Sequence, residues 1–190
     1  QVLPWRPDSK GVARMFCDIR TPQGEVFEGD SRHVLKRVVA KIHDAGYEIN
    51  MGPEVEYCYF KDSHGTELLD HGGYFDLTAL DSGSDLRRDT VLALEKMGIP
   101  VEYSHHERGP SQHEIDLRYS DACSMADAVM TYRVVVKEIA AAHGVYASFM
   151  PKPFSGYPGN GMHVHMSLYD HNDHNVFFDA SDPDGRNLSD

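Results

Sequence analysis

Gly52-Pro53-Glu54-Val55-Glu56-Tyr57 sets two carboxylates inside a β-rich run that extends from Tyr47 to Phe60. Burial would normally ask for Val or Ile at such positions. Side chains of a strand alternate, so Glu54 and Glu56 share one face, roughly 7 Å apart. Two like charges held that close repel unless a cation sits beside or between them. A divalent metal ion is the natural candidate, and the rest of the chain has to supply the remaining ligands.

Two later stretches can do so. His105-His106-Glu107 and Gln112-His113-Glu114 flank a Gly-Pro turn, which lets Glu107 and Glu114 face each other across a hairpin. Met162-His163-Val164-His165 puts two imidazoles on one strand face. Taken singly, each cluster also fits a solvated strand face or a structural histidine. Together they offer four carboxylates and several imidazoles, a mostly oxygen set with some nitrogen that suits Mg²⁺ or Mn²⁺. Zinc would recruit thiolate or a denser set of histidines. His171 and His174 lie in a polar turn and read as exposed. The Gly156–Gly161 loop could approach a phosphate closely, but it matches neither a P-loop nor a dinucleotide fingerprint.

Around these clusters the chain alternates strands with helices. Ala13–Ile19 alternates and reads as a strand, followed by a Thr21–Gly24 turn. Asp30 or Ser31 can cap a helix carrying Val34, Leu35, Val38, Val39 and Ile42 at helical spacing, which Gly46 ends. The spacing predicts further helices over Asp85–Met97, with a capped start and a charged face, and over Ser124–His143, with Ser124 as cap. Strands are expected at Val101–His106, Gln112–Tyr119, Val145–Met150 and Met162–Leu168, and Lys61–Asp81 reads as loop. This order indicates an α+β fold, a largely antiparallel curved sheet with flanking helices.

Composition narrows the function classes. A net charge of −12 argues against a general nucleic-acid binder, and no apolar run approaches a membrane span. Cys17, Cys58 and Cys123 have no CxxC spacing and read as buried thiols of a reducing compartment, so a cytoplasmic enzyme is expected. The chain opens at Gln1 without Met and closes in a polar, turn-rich stretch, which suggests a piece of something longer.

Gly52–Tyr57, His105–Ile115 and the run from Lys152-Pro153 to Gly161-Met-His-Val-His-Met-Ser167 resemble the three hallmark blocks of the class I glutamine synthetase family. Val2-Leu-Pro-Trp5 and Tyr74-Phe-Asp76 are similar to that family too, so the resemblance covers essentially the whole chain, in order. It implies a ligase in which the γ-carboxylate of L-glutamate takes the γ-phosphate of ATP and ammonium-derived ammonia then displaces phosphate. Two Mg²⁺ or Mn²⁺ ions organise this chemistry. By the resemblance, Glu56, Glu107 and Glu114 are ligands of one metal, and Glu54 and His163 of the other. It also makes Glu102, Tyr119, His165 and Ser167 ATP-binding positions and Gly159 a glutamate contact. It further implies homo-oligomeric rings.

Two departures bear on specificity and completeness. The family's loop reads Asn-Gly-Ser-Gly where this chain has Pro158-Gly159-Asn160-Gly161, and proline brings neither an N–H nor an amide side chain. That loop resembles those of glutamate–polyamine ligase paralogues. The resemblance also implies an N-terminal β-grasp domain and a C-terminal remainder, neither within residues 1–190, so one partial catalytic domain, inactive alone, is expected. A non-catalytic paralogue would have lost the ligand carboxylates, all four of which are present. A metallohydrolase would turn over without ATP.

Overall fold

The computed structural model describes residues 1–6, 8–65, 67–77 and 79–189. Its elements are α1 (Ser31–Asp44), β1 (Tyr47–Phe60), α2 (Ser84–Lys96), β2 (Val101–His106), β3 (Gln112–Leu117), β4 (Ser120–Asp121), α3 (Ala122–Ala142), β5 (Tyr146–Ser148) and β6 (Met162–Asp170), with a 3₁₀ turn at Asp8–Lys10. The six strands make one sheet in the order β2-β3-β1-β4, with β5 and β6 also pairing β1. The pairs β1–β3, β1–β4, β1–β5 and β2–β3 are antiparallel. This is the α+β class that the alternation of patterns implied. Among the described residues, no helix is long and apolar enough to cross a membrane.

The chain forms two compact units. One comprises Gln1–Met15, Pro53–Arg118 and Ala128–Val164. The other comprises Phe16–Gly52, Tyr119–Asp127 and His165–Asp190.

In the first unit, the alternation of β1 divides two environments. Val55, Tyr57 and Tyr59 are buried with Ile115 and Leu117 of β3, Leu94 of α2, and Tyr132, Val135 and Val136 of α3. Tyr132 donates its hydroxyl to the Val55 carbonyl (2.9 Å), tying α3 to the strand between the two glutamates. The Tyr57 and Tyr59 rings meet edge to face with centroids 5.0 Å apart, the arrangement that the ring quadrupoles favour. On the opposite face, Cys58 and Phe60 are covered by the loop after β5. Cys58 Sγ lies 3.4 Å from Asn160 Oδ1, and the Phe60 and Phe154 ring centroids are 5.6 Å apart. Glu54 and Glu56 are the residues of this face left open.

In the second unit, Asp30 caps α1. Its Oδ1 accepts from Arg32 N (3.0 Å) and its Oδ2 from Ile19 N (3.1 Å). Gly46 follows the helix at φ 90°, a conformation that costs glycine nothing. The N-terminal half of β1 pairs with β4 in the register Asn50↔Asp121 and Met51↔Ser120.

Several expectations are corrected. Ala13–Ile19 is not a strand: among the described residues its one bridge is the isolated Val2↔Ala13, with a second, Arg20↔Val26, just beyond it, and no neighbouring strand completes a ladder. α3 starts at Ala122, and its cap is the Asp121 carboxylate, which accepts from Ser124 N (2.9 Å). α2 has no side-chain cap at its start, and Arg87 in its first turns is buried rather than part of a solvated face. Of the three thiols only Cys58 is buried. Cys17 is exposed and Cys123 is intermediate.

Candidate metal centre

The register of β1, β3 and β2 builds the site. Glu56 pairs with Glu114, and Glu114 pairs with His105, so these three form a row across adjacent strands. Two residues along, Glu54, Asp116 and Tyr103 form a second row on the same face. Glu107 follows β2 directly, and its N–H donates to the Gln112 carbonyl (2.7 Å), which closes the turn and brings it beside Glu114. Ligand atoms of His105, Glu107 and Glu114 lie within 4.8 Å of one another. His163, at the start of β6, places Nδ1 3.1 Å from Glu54 Oε2. All of these residues line one open cleft of about 530 Å³, whose walls also include Tyr74, Phe75, Gln112, Pro158 and Gly159.

Two supports hold Glu56 in place. Its Oε2 accepts from Gln112 Nε2 (2.6 Å) and from Gly161 N (3.1 Å). Gln112 also donates to the Gly159 carbonyl (2.9 Å) and Asn160 Oδ1 (3.1 Å), so one amide joins the loop to the carboxylate. A Cβ on Gly161 would lie 3.1 Å from Glu56 Oε1, and one on Gly159 would lie 2.6 Å from the Pro151 carbonyl oxygen. The backbone contact demands glycine at 159, whereas at 161 a Cβ would press on the Glu56 carboxylate, which would have to give way. Phe75 sits at φ 61°, unusual for a bulky side chain, and its ring stacks on His105 at 4.7 Å.

The electrostatics are those of a cluster short of positive charge. Burial pushes the Glu114 carboxyl up, reinforced by its hydrogen bond to Asp116 and by the charges of Asp116, Glu107 and Glu56, to about 9. Burial also raises Glu56, where the Gly161 amide pulls the other way and Glu107 adds to the rise. Asp116 is raised by burial against the opposing bond from Glu114. Its Oδ1 and the Nδ1 of His105 are buried without a hydrogen-bond partner. An oxygen-rich donor set with two imidazoles, mutual repulsion among the carboxylates and orphaned buried donor atoms together fit a hard divalent cation.

Of the residues expected from sequence, Glu54, Glu56, Glu107, Glu114, His163 and Gly159 come together in this cleft. Glu102 is exposed on β2, at the irregularity between Val101 and Tyr103. Tyr119 is exposed beyond β3, and His165 and Ser167 lie on β6; all three belong to the second unit. His171 and His174 are exposed, as expected. The sequence reading assigned no role to His105, Gln112 or Asp116. The i, i+2 spacing of Glu114 and Asp116 is the same signal that singled out Glu54 and Glu56.

On the other face of the sheet, His106 pairs with His113 and both are fully buried. Asp70 Oδ1 lies 2.9 Å from His106 Nε2, and Arg87 pairs with Asp81 through two contacts of 2.9 and 2.6 Å. Burial works against the Asp70 carboxylate, yet its bond to His106 and the charge of His113 hold it at about 2. Burial, then the Arg87 guanidinium, push His113 well below the usual imidazole range.

The family model of the glutamine synthetase catalytic domain matches residues 28–190. The curated glutamine synthetase of Clostridium saccharobutylicum is 50% identical over 188 residues, 97% of this chain and 42% of that protein. That of Mycolicibacterium smegmatis is 52% identical over 189 residues, 96% of this chain and 42% of that protein. Among solved structures, one described as a GmaS/ADP complex has a TM-score of 0.87 at 29% identity, covering 98% of this chain and 43% of the other. The cryo-EM structure of Plasmodium falciparum glutamine synthetase has a TM-score of 0.84 at 27% identity, covering 96% and 42%. The chain thus spans about two-fifths of the length of the curated relatives it matches.

Proposed function

The chain belongs to the glutamine synthetase family, and on that premise we propose that it is the central part of the catalytic domain of an ATP-dependent ligase joining L-glutamate to ammonia. The observation that carries this reading is the double row of carboxylates on β1 and β3, Glu56 with Glu114 and Glu54 with Asp116, flanked by His105, Glu107 and His163. Glu56, Glu107 and Glu114 would hold one divalent ion, with His105 close enough to Glu107 and Glu114 to join or orient them. Glu54 and His163 hold part of the other. When bound, Mg²⁺ or Mn²⁺ supplies the positive charge that phosphoryl transfer from ATP to the γ-carboxylate needs.

The protein's own groups then position and screen. Gln112 and the Gly161 amide fix the Glu56 carboxylate, and Tyr74 and Phe75 wall the cleft. Gly159 exposes backbone to the substrate glutamate. Glu102, Tyr119, His165 and Ser167 are proposed on the ATP side, a reading supported by likeness to a relative described as an ADP complex. The complete protein supplies the remaining ligand and substrate groups from an N-terminal β-grasp domain and a C-terminal remainder, assembles as homo-oligomeric rings and works in the cytoplasm.

A second acceptor is favoured by one observation. Pro158 lines the cleft where the resemblance expects an asparagine, so an amine larger than ammonia is the alternative nucleophile. Steady-state phosphate release by the complete protein with ATP, glutamate and either ammonium, putrescine or spermidine separates the two. Ammonium is expected to support turnover, selective turnover with a polyamine would move the assignment to an amine ligase, and ATP-independent hydrolysis would overturn both. The split of ligands is tested by Glu54→Ala and Glu56→Ala, which are expected to weaken different Mn²⁺ ions. Superimposable Mn²⁺ dependences would count against it.

A further inference from the structure

We propose that Asp70, on the core side of the sheet, is a positioning residue that sets Glu107 for metal binding. The residue is buried, 7% exposed, and its carboxylate brackets the β2–β3 turn from both ends. At one end, Asp70 Oδ1 accepts from His106 Nε2 (2.9 Å), while His106 Nδ1 donates to the Glu107 carbonyl (2.7 Å). At the other end, Oδ1 accepts from Ser111 N (3.0 Å). The main chain doubles this link: Asp70 N donates to Ser111 Oγ (2.7 Å), and Ser111 Oγ lies 3.1 Å from the Asp70 carbonyl. Oδ1 also accepts from Gly72 N (3.2 Å) and Oδ2 from Ser82 N (3.1 Å), so the carboxylate cannot swing.

A carbonyl oxygen and a carboxylate oxygen only accept. His106 thus uses both ring nitrogens at once and forms a buried strut between Asp70 and the Glu107 backbone. On the cleft side, among the described residues, the Glu107 carboxylate has His105 Nε2 (3.0 Å) and its neighbour's amide, Arg108 N (2.9 Å), as hydrogen-bond partners. The position of Glu107 is thus fixed from behind. Ser111 is held at φ 55°, a conformation that a serine keeps only where its surroundings impose it. In the same buried cluster Arg87 pairs with Asp81, His106 bonds Asp70 and His113 Nδ1 accepts from Arg87 at 2.8 Å, while His113 Nε2 has no hydrogen-bond partner among the described residues and lies 3.9 Å from Asp70 Oδ2.

This inference rests on Glu107 being a metal ligand, so the test separates the two. Mn²⁺ binding to the complete protein is followed by electron paramagnetic resonance for wild type, Asp70→Asn and Leu94→Ala. Leu94 is fully buried on α2, outside the β2–β3 turn in sequence, and its truncation lowers stability. Asp70→Asn is expected to weaken one of two Mn²⁺ ions by roughly 10–100-fold, leaving the other within about twofold. Leu94→Ala is expected to lower the melting temperature and leave both unchanged. Should Asp70→Asn not fold, Ser111→Ala reads the same tether with the carboxylate left in place. Unchanged Mn²⁺ affinities in Asp70→Asn, or equal loss at both ions, would overturn the inference alone. A third bound ion lost with Asp70 would also overturn it, making the cluster itself a cation site. Failure of the wild type to bind Mn²⁺ would instead remove the metal-centre reading on which the inference stands.

Discussion

Gly161 shows how little freedom single residues have here. Its amide holds Glu56, and an added Cβ would lie 3.1 Å from the Glu56 carboxylate. Gly161→Ala is expected to displace that carboxylate and weaken one Mn²⁺ ion about tenfold, with little loss of stability, since the contact is with the end of a side chain. Paired titration of Mn²⁺ affinity and urea midpoint checks this. Glu114 makes a pH prediction. In metal-free protein its carboxyl is raised from 4.5 to about 9, so the folded state keeps a proton that the unfolded chain releases. The associated stability is full below about pH 4.5 and declines as pH rises towards about 9. Urea midpoints in chelator should fall between roughly pH 5 and pH 8, and saturating Mg²⁺ should flatten the fall. A midpoint that rises over that range would contradict the repulsion. At this scale the glutamates of β1 were legible because alternation exposes them. The links of Asp70 to His106 and of Arg87 to His113 were not, because they span 36 and 26 residues of chain and only the folded sheet brings them together.

Elements differ in what supports them. α1 has no buried residue, so its start leans on the Asp30 carboxylate, which also holds the Ile19 amide. Asp30→Ala is expected to cost about 0.5–2 kcal/mol, read as a lower urea midpoint, with unchanged Mn²⁺ affinity. The limits of β1 and β2 follow directly from the sequence pattern, since alternation and flanking turns agree there. Ala13–Ile19 carries the same alternation without forming a strand. Alternation describes which faces differ, but a ladder also needs a neighbour, and that is a property of the whole sheet. α3 began earlier than its Ser124 signal because Asp121, three residues before, supplies the capping oxygen.

For the whole molecule, a chain of about two-fifths of the relatives' length brings Glu54, Glu56, Glu107 and Glu114 into one cleft. Residues 1–190 expressed alone are expected to show no γ-glutamyl transfer, measured as hydroxamate formation, while the complete protein does. Appreciable transfer by the isolated chain would mean that the groups expected elsewhere are dispensable. The double role of β1 also limits how this molecule can change over time. Between Pro53 and Phe60 every second residue belongs to the core and the others face the cleft or its covering loop. Replacements there affect one side at a time, but gaining or losing one codon exchanges the two sides wholesale. Lineages of this chain should therefore vary in length in the segments around β1 and tolerate no single-residue insertion or deletion within it, a pattern that a library of one-codon indels selected for folding would reveal.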